Sequence, residues 1–370
     1  VNAAQRLIRG RAAQPVSPAV KVAGVIGVVA GVTAAGVAAG VLAERAALRR
    51  SRLAPDPYAD EEFGVQPHDE EFTVEMPDGT DIHVEIVKPT APDGRVRPTV
   101  VFVHGFCLDM GTFHFQRKAL AERGRDRLVL YDQPGHGRSG KLEAGEYELS
   151  RLGQTLRAVI DKTVPDGPLV LVGHSMGGMT IMAFAERYPE MFGSRVVGTV
   201  LIATSAGRLE QTKFGLPAIL SRAASPLLPV VNGATRLTGT VMDRARKAAS
   251  NVAWLMTRRY GFGTEQPSPA LVTYVEKMNS HTSTETVARY LRTLYLHSRY
   301  PALAALKDVP TLVICGDRDL ITPIEHSEEI VRRLPDAEFV KVPDSGHVVM
   351  LEHAEVVNEA LIRFLDRLGV

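Results

Sequence analysis

Leu169-Val170-Leu171-Val172-Gly173-His174-Ser175-Met176-Gly177-Gly178 joins an apolar, β-forming run to Gly-x-Ser-x-Gly. The apolar segment Met179–Tyr188 that follows has helix-compatible spacing. The stretch therefore predicts a strand, a sharp turn and a helix. A turn this tight strains the serine backbone and brings neighbouring backbone close, which is why Gly173 and Gly177 suit their positions. Ser175 Oγ would stand above the strand end, with the following helix aiming its N-terminus at the same spot. The backbone N–H of Met176 can then donate to an oxyanion forming on an attacked carbonyl. We read Ser175 as a nucleophile; the plainer alternative is a structural turn.

Working outward, Glu71–Glu75 and Ile82–Val87 alternate in polarity around Pro77-Asp78-Gly79 and predict an antiparallel hairpin. Thr99–Val103 is a continuous apolar run, as expected of a strand covered on both faces, and leads straight into His104-Gly105-Phe106-Cys107. This loop is placed to supply a second oxyanion donor, the N–H of Phe106, with His104 bonding the loop backbone. Arg127–Asp132 reads as another buried strand. The loop after it, Gln133-Pro134-Gly135-His136-Gly137-Arg138-Ser139, lacks the Lys-Ser/Thr of a phosphate cradle, so His136 is expected to be structural. Helical spacing over Leu149–Ile160 precedes the serine strand, and Arg195–Ala203 gives one more strand. Alternation of this kind implies an α/β fold with a mainly parallel sheet covered by helices on both faces.

After Ala203 no buried strand is expected for about a hundred residues, so the sequence predicts an inserted helical cap. From Ser205 to Phe262 there are nine basic residues (Arg208, Lys213, Arg222, Arg236, Arg244, Arg246, Lys247, Arg258, Arg259) and two acidic ones (Glu210, Asp243), against 34 basic and 40 acidic elsewhere. Ordinary solvated helix faces explain such a bias; a surface resting on anionic headgroups is the sharper reading. Strand character returns at Pro310–Cys315, followed by Gly316-Asp317-Arg318-Asp319-Leu320-Ile321-Thr322-Pro323. A carboxylate just after a strand can orient a histidine and stabilise its imidazolium, and both Asp317 and Asp319 qualify. Glu338–Val342 is a last strand, and Pro343-Asp344-Ser345-Gly346-His347 can deliver His347 to Ser175.

From about Asp69 to Val370 the chain resembles an α/β-hydrolase of the lipase and esterase type, close to monoacylglycerol-lipase-like and other serine α/β-hydrolases. The resemblance is carried by His104-Gly105-Phe106, the Asp132–Ser139 loop, Gly173–Gly178, Gly316–Pro323, and Gly346-His347 followed by Glu352. It implies the α/β-hydrolase fold with the helical cap inserted late in the sheet, and a Ser175, Asp319 and His347 triad. Asp319 is selected because the family's acid stands four residues before the proline of that loop. Phe106 and Met176 would form the oxyanion hole. Relatives that open epoxides or displace halide carry an aspartate where this chain has Ser175. The implied reaction is hydrolysis of a carboxylic ester through an acyl-enzyme, with neither a metal nor an organic cofactor; thioesterase, carbon–carbon bond hydrolase or a turnover-free binding protein use the same core.

The remaining segments organise the chain. Val22–Leu42 contains no charged residue, and as a helix it would be about 31 Å long, enough to cross a hydrocarbon core of about 30 Å. Gly27/Gly31 and Gly36/Gly40 have small-xxx-small spacing. A cleaved signal is the competing reading, although the apolar run is long for one. Arg6, Arg9, Arg11 and Lys21 before it balance Arg45, Arg49, Arg50 and Arg52 after it, so charge leaves its orientation open. Leu53–His68, with Pro55, Pro57 and Pro67 among acidic residues, reads as a linker that does not pack. The expected organisation is a basic tail over 1–21, a transmembrane anchor over 22–43, a linker over 44–68, core over 69–206, cap over 207–305 and core again over 306–370. A net charge of +1 argues against nucleic acid as the main partner; the resemblance implies an acyl-ester or lipid substrate, and the apolar segment a membrane. Cys107 and Cys315 sit in unrelated motifs and suggest neither a disulfide nor a zinc site.

Overall fold

The computed structural model describes residues 56–92, 94–209 and 253–368. Strands β1 (Glu70–Glu75) and β2 (Asp81–Val87) pair antiparallel. They turn where Gly79 takes φ +80° and the Asp78 carboxylate accepts from Thr80 N–H at 3.0 Å. Then come β3 (Thr99–Val103), helix α1 (His114–Arg123), β4 (Leu128–Tyr131), α2 (Leu149–Thr163), β5 (Leu169–His174), α3 (Met176–Arg187) and β6 (Val196–Ile202). The described residues between β6 and the next strand are helical: 253–261, α4 (Pro269–His281) and α5 (Thr284–Leu296). β7 (Thr311–Gly316), α6 (Ile324–Arg333), β8 (Glu338–Val342) and α7 (Ala354–Leu368) complete the chain.

The eight strands form one sheet in the order β1-β2-β4-β3-β5-β6-β7-β8, antiparallel at β1, β2 and β4 and parallel from there on. Strands β3, β4 and β5 are buried along their whole length, as their continuous apolar runs require. Helices cover both faces. Successive strand residues point to opposite sides, and on β6 a Cβ at Gly198 would meet Phe364 and Leu368 of α7, whereas Leu201 belongs to the apolar cluster containing Ile181 and Phe184 of α3. α2 packs on α3 and α1 on α7. β5 lies in the middle of this sheet, so the turn after it stands above the interior, between the ends of β3 and β6.

Three differences from the sequence reading have physical reasons. The serine helix begins at Met176 rather than Met179, because the two glycines after it are helical and packed. β2 is buried on both faces although His83 and Glu85 give it a polar stripe. Arg117 Nη1 reaches the Glu85 carboxylate at 2.6 Å and satisfies the charge there. Part of the stretch expected not to pack does pack: between Asp56 and His68 the chain lies on α1 and α4. Phe63 stacks on Tyr274 with ring centroids 4.6 Å apart, Tyr58 meets Phe115 at 5.1 Å, and Glu61 pairs with Lys118 at 2.9 Å. Val22–Leu42 and the basic positions Lys213–Lys247 lie outside the described residues. Among the described residues no helix is long and apolar enough to cross a membrane.

Candidate active site

The turn after β5 is held from three sides. Ser175 has φ 52° and ψ −117°, a left-handed conformation that a side-chain-bearing residue adopts only under constraint. Its N–H donates to Ile202 O of β6 at 2.9 Å, and its carbonyl accepts from Thr204 Oγ1 at 2.6 Å and Gly178 N–H at 3.0 Å. Gly177 shows why the motif needs glycine: a Cβ there would sit 1.9 Å from the carbonyl oxygen of Val103 in β3. Ser175 is 7% exposed.

The loop after β3 runs alongside. A Cβ on Gly105 would lie 3.2 Å from Ser175 Cβ, so the Gly105-Phe106 turn and the Met176 end of α3 flank the serine from two directions. His104 organises this loop, as expected. Its Nε2 accepts from Gln133 N–H at 2.8 Å, which leaves Nδ1–H to donate to Gly105 O at 2.8 Å. Burial, reinforced by the neighbouring His136, pushes His104 down to about 3, so it is a neutral strut. His136 also matches expectation: Nδ1–H donates to Pro134 O at 3.0 Å, and burial pushes the ring down to about 4. Phe106 packs against an apolar cluster that includes Met176, Met179, Tyr290 and Leu294, which joins the start of α3 to helix α5.

Of the two candidate aspartates, the structure brings Asp319 to His347. Asp319 Oδ2 lies 2.8 Å from His347 Nδ1. Its other oxygen accepts from Ile321 N–H at 2.8 Å and Thr322 N–H at 2.9 Å. Thr322 Oγ1–H donates to Oδ2 at 2.8 Å and lies 3.3 Å from His347 Nδ1. Asp317 instead has a buried carboxylate oxygen with no hydrogen-bond partner among the described residues. Thr322 was missed by the sequence reading, and the signal for it was present: Asp-x-x-Thr after a strand is the spacing of an aspartate that folds its own backbone around its carboxylate.

His174, the residue before the serine, ties the two halves together. Its Nε2–H donates to the backbone carbonyl of His347 at 3.0 Å, and the two rings lie 4.9 Å apart. Burial, then the nearby His347, holds His174 well below the usual histidine range, so it stays neutral beside the second imidazole. His347 is thereby fixed at its backbone carbonyl by the serine turn and at its ring Nδ1 by the acid loop. Among the described residues no group of three or more His, Cys, Asp or Glu side chains could hold a metal ion.

A strained serine turn at the end of a mainly parallel sheet, tied through His174 to the His347 backbone while Asp319 holds the His347 ring, invites comparison with known folds. Residues 98–354 match the family described as alpha/beta hydrolase fold, and the chain belongs to that family. The dihydrolipoyllysine-residue acetyltransferase component of the acetoin cleaving system of Pseudomonas putida is 33% identical over 277 residues, 72% of this chain. This chain spans only 63% of that relative's length. The monoacylglycerol lipase of Mycolicibacterium smegmatis is 26% identical over 269 residues, covering 70% of this chain and 85% of its own. An esterase from Exiguobacterium antarcticum superposes with a TM-score of 0.61 at 19% identity, over 80% of this chain and 100% of that one, a likeness of fold alone.

Proposed function

We propose that the protein is a membrane-anchored serine hydrolase that cleaves carboxylic esters of lipid or acyl type through a Ser175, His347 and Asp319 triad. The observation that carries this reading is the 2.8 Å contact between His347 Nδ1 and Asp319, made while His174 next to Ser175 grips the His347 backbone. In the mechanism, His347 Nε2 takes the Ser175 proton as the hydroxyl oxygen attacks the acyl carbonyl. Asp319 stabilises the imidazolium without taking the proton. The N–H groups of Phe106 and Met176 donate to the oxyanion. Collapse expels the alcohol, which leaves with the proton from His347. Water, deprotonated by the same nitrogen, then releases the acid and restores Ser175.

The lipid part of the reading has separate support. The relatives include proteins named monoacylglycerol lipase and sn-1-specific diacylglycerol lipase. Tyr290 and Leu294 of α5 share an apolar cluster with Met176, the residue after Ser175, and suit an acyl chain. An anchor over 22–43 would confine the domain near its substrate, and the basic cap residues would favour anionic headgroups. The test combines fluorophosphonate labelling with turnover of esters of graded chain length, in solution and in anionic vesicles. Ser175→Ala is expected to keep its fold, lose the label and lose about 10⁴–10⁶ in kcat. Removal of residues 1–52 should spare soluble short-chain esters and depress turnover in vesicles. Retained turnover in Ser175→Ala overturns the nucleophile; equal effects of truncation on both substrates overturn the membrane part.

A further inference from the structure

We infer that Glu352 is a positioning residue that fastens the segment between helix 253–261 and α4 to the loop that carries His347. This rests on the ester-hydrolase reading above. That segment, Phe262-Gly263-Thr264, lies directly against Ser345-Gly346. A Cβ on Gly263 would be 2.3 Å from Ser345 C, and one on Gly346 would be 2.5 Å from Phe262 C. Two backbones meet there with no side chain between them, and Val348 N–H donates to Gly261 O at 3.0 Å.

The Glu352 carboxylate closes this contact. It accepts from Gly263 N–H at 2.9 Å, Thr264 N–H at 2.7 Å and Gly346 N–H at 2.6 Å, with Ser345 Oγ at 3.3 Å. Two of these donors belong to the 262–264 segment and two to the histidine loop. All of them are donors, so only a group that accepts through both oxygens fits, and an ionised acceptor strengthens every bond it makes. Ser345 is held from the other side as well, since its carbonyl accepts from Arg318 N–H of the acid loop at 2.9 Å. The loop bearing His347 is thus gripped between the acid loop and the 262–264 segment. Glu352 does not touch the reacting atoms in this scheme; it acts through the placement of the imidazole.

Glu352→Gln tests the inference because it keeps the shape and turns one acceptor into a donor facing N–H donors. Glu352→Asp keeps the charge but is one methylene too short to serve both segments. Competent sites are counted by end-point fluorophosphonate labelling, and kcat and KM for a short-chain ester are expressed per labelled site. A displaced general base costs about 10²-fold when the shift reaches about 1 Å. We expect kcat per site to fall about 10- to 100-fold in the glutamine variant and less in the aspartate variant, with KM within about twofold of wild type. A merely structural glutamate would lower Tm and the number of labelled sites while leaving kcat per site unchanged. That result overturns the inference and leaves the ester-hydrolase reading intact. If the glutamine variant gives no folded protein, the aspartate variant decides by the same measurement. Wild-type protein with neither label nor turnover removes the function and this inference together.

Discussion

Two regions at the same end of the sheet are held in opposite ways. Around Ser175 the fixing groups are backbone amides and neutral imidazoles: His104, pushed down to about 3, spends both ring nitrogens on main-chain partners, and His174, held well below its usual range, spends its Nε2 on one. Around Glu85, on β2, the fixing groups are ions. Burial works to raise the Glu85 carboxyl, but hydrogen bonds from His83 and Arg117 and the Arg117 charge outweigh it and hold the carboxyl at about 2. Arg117 also donates to Pro67 O at 2.8 Å, which docks the end of the 56–68 stretch. Extra charge beside a proton-transferring histidine would perturb it, so neutral struts suit the first region. The second has only to hold a segment in place, and ion pairs with satisfied hydrogen bonds suffice.

The sharpest way to break this comparison is to alter the carboxylate that touches the histidine ring in the first region. Asp319→Asn is expected to lower kcat on esters by about 10⁴, since the amide misdirects the histidine tautomer and leaves the imidazolium uncompensated. Asp317→Asn should change kcat only modestly. The two variants are compared at equal labelled-site concentration. A reversed ranking would make Asp317 the acid and leave the 2.8 Å contact of Asp319 as packing alone.

The ionic region breaks differently. Arg117→Met removes the nearest cation of a buried pair and leaves Glu85 to His83, to the partly exposed His68 and to the exposed Arg138 at 3.9 Å, at an expected cost of up to about 3–5 kcal/mol in unfolding free energy. The pH dependence carries the sign. Glu85 has a lowered folded value, so its contribution is fully present above the ordinary carboxylate range near 4.5 and is lost as pH falls toward about 2. The gap between wild type and Arg117→Met should therefore narrow on acidification through that window, as measured by urea unfolding at stepped pH. A gap that stays constant from neutral pH to about 2 would show that Arg117 acts by packing rather than by charge.

What the sequence made legible follows the same division. Thr99–Val103, Leu169–Val172 and Pro310–Cys315 announce themselves because a strand covered on both faces must be apolar throughout, and the serine turn is visible because Gly177 has no steric alternative. Ser175, His347 and the loop position of Phe106 came from that local chemistry. The choice between Asp317 and Asp319 did not, since both stand just after β7; the family resemblance supplied it, and the Asp-x-x-Thr spacing supports it. The ionic region was opaque. Helix α1 buries His114, Gln116 and Arg117 with a single leucine, so its apolar periodicity is faint. The 56–68 stretch anchors through Tyr58 and Phe63, whose spacing follows no helix or strand period, among prolines and acids that read as unpacked chain.

The smallest expected effect lies where that stretch meets the helical excursion. Asp56 Oδ1 accepts from Ser268 Oγ at 2.5 Å, and Oδ2 accepts from Ala270 N–H at 2.8 Å, at the first turn of α4. Ser268 is itself the N-cap, accepting from Leu271 N–H at 3.2 Å, so the aspartate adds a second, charged cap to a helix end whose amides have no intrahelical partner. Losing a cap of this kind costs about 0.5–2 kcal/mol. Asp56→Ala should therefore lower stability by about that amount, while kcat on a short-chain ester stays at the wild-type level, because Asp56 touches neither the serine turn nor the histidine loop. The local readout is amide hydrogen exchange. Ala270 and the rest of the first α4 turn should lose protection, and the Phe63 contact with Tyr274 should carry the loss into Tyr58–Gln66 without reaching β5. Unchanged exchange at Ala270 would mean that the 56–68 stretch rests on α4 without stabilising it. A fall in kcat as large as that of Asp319→Asn would mean that the two regions are energetically one.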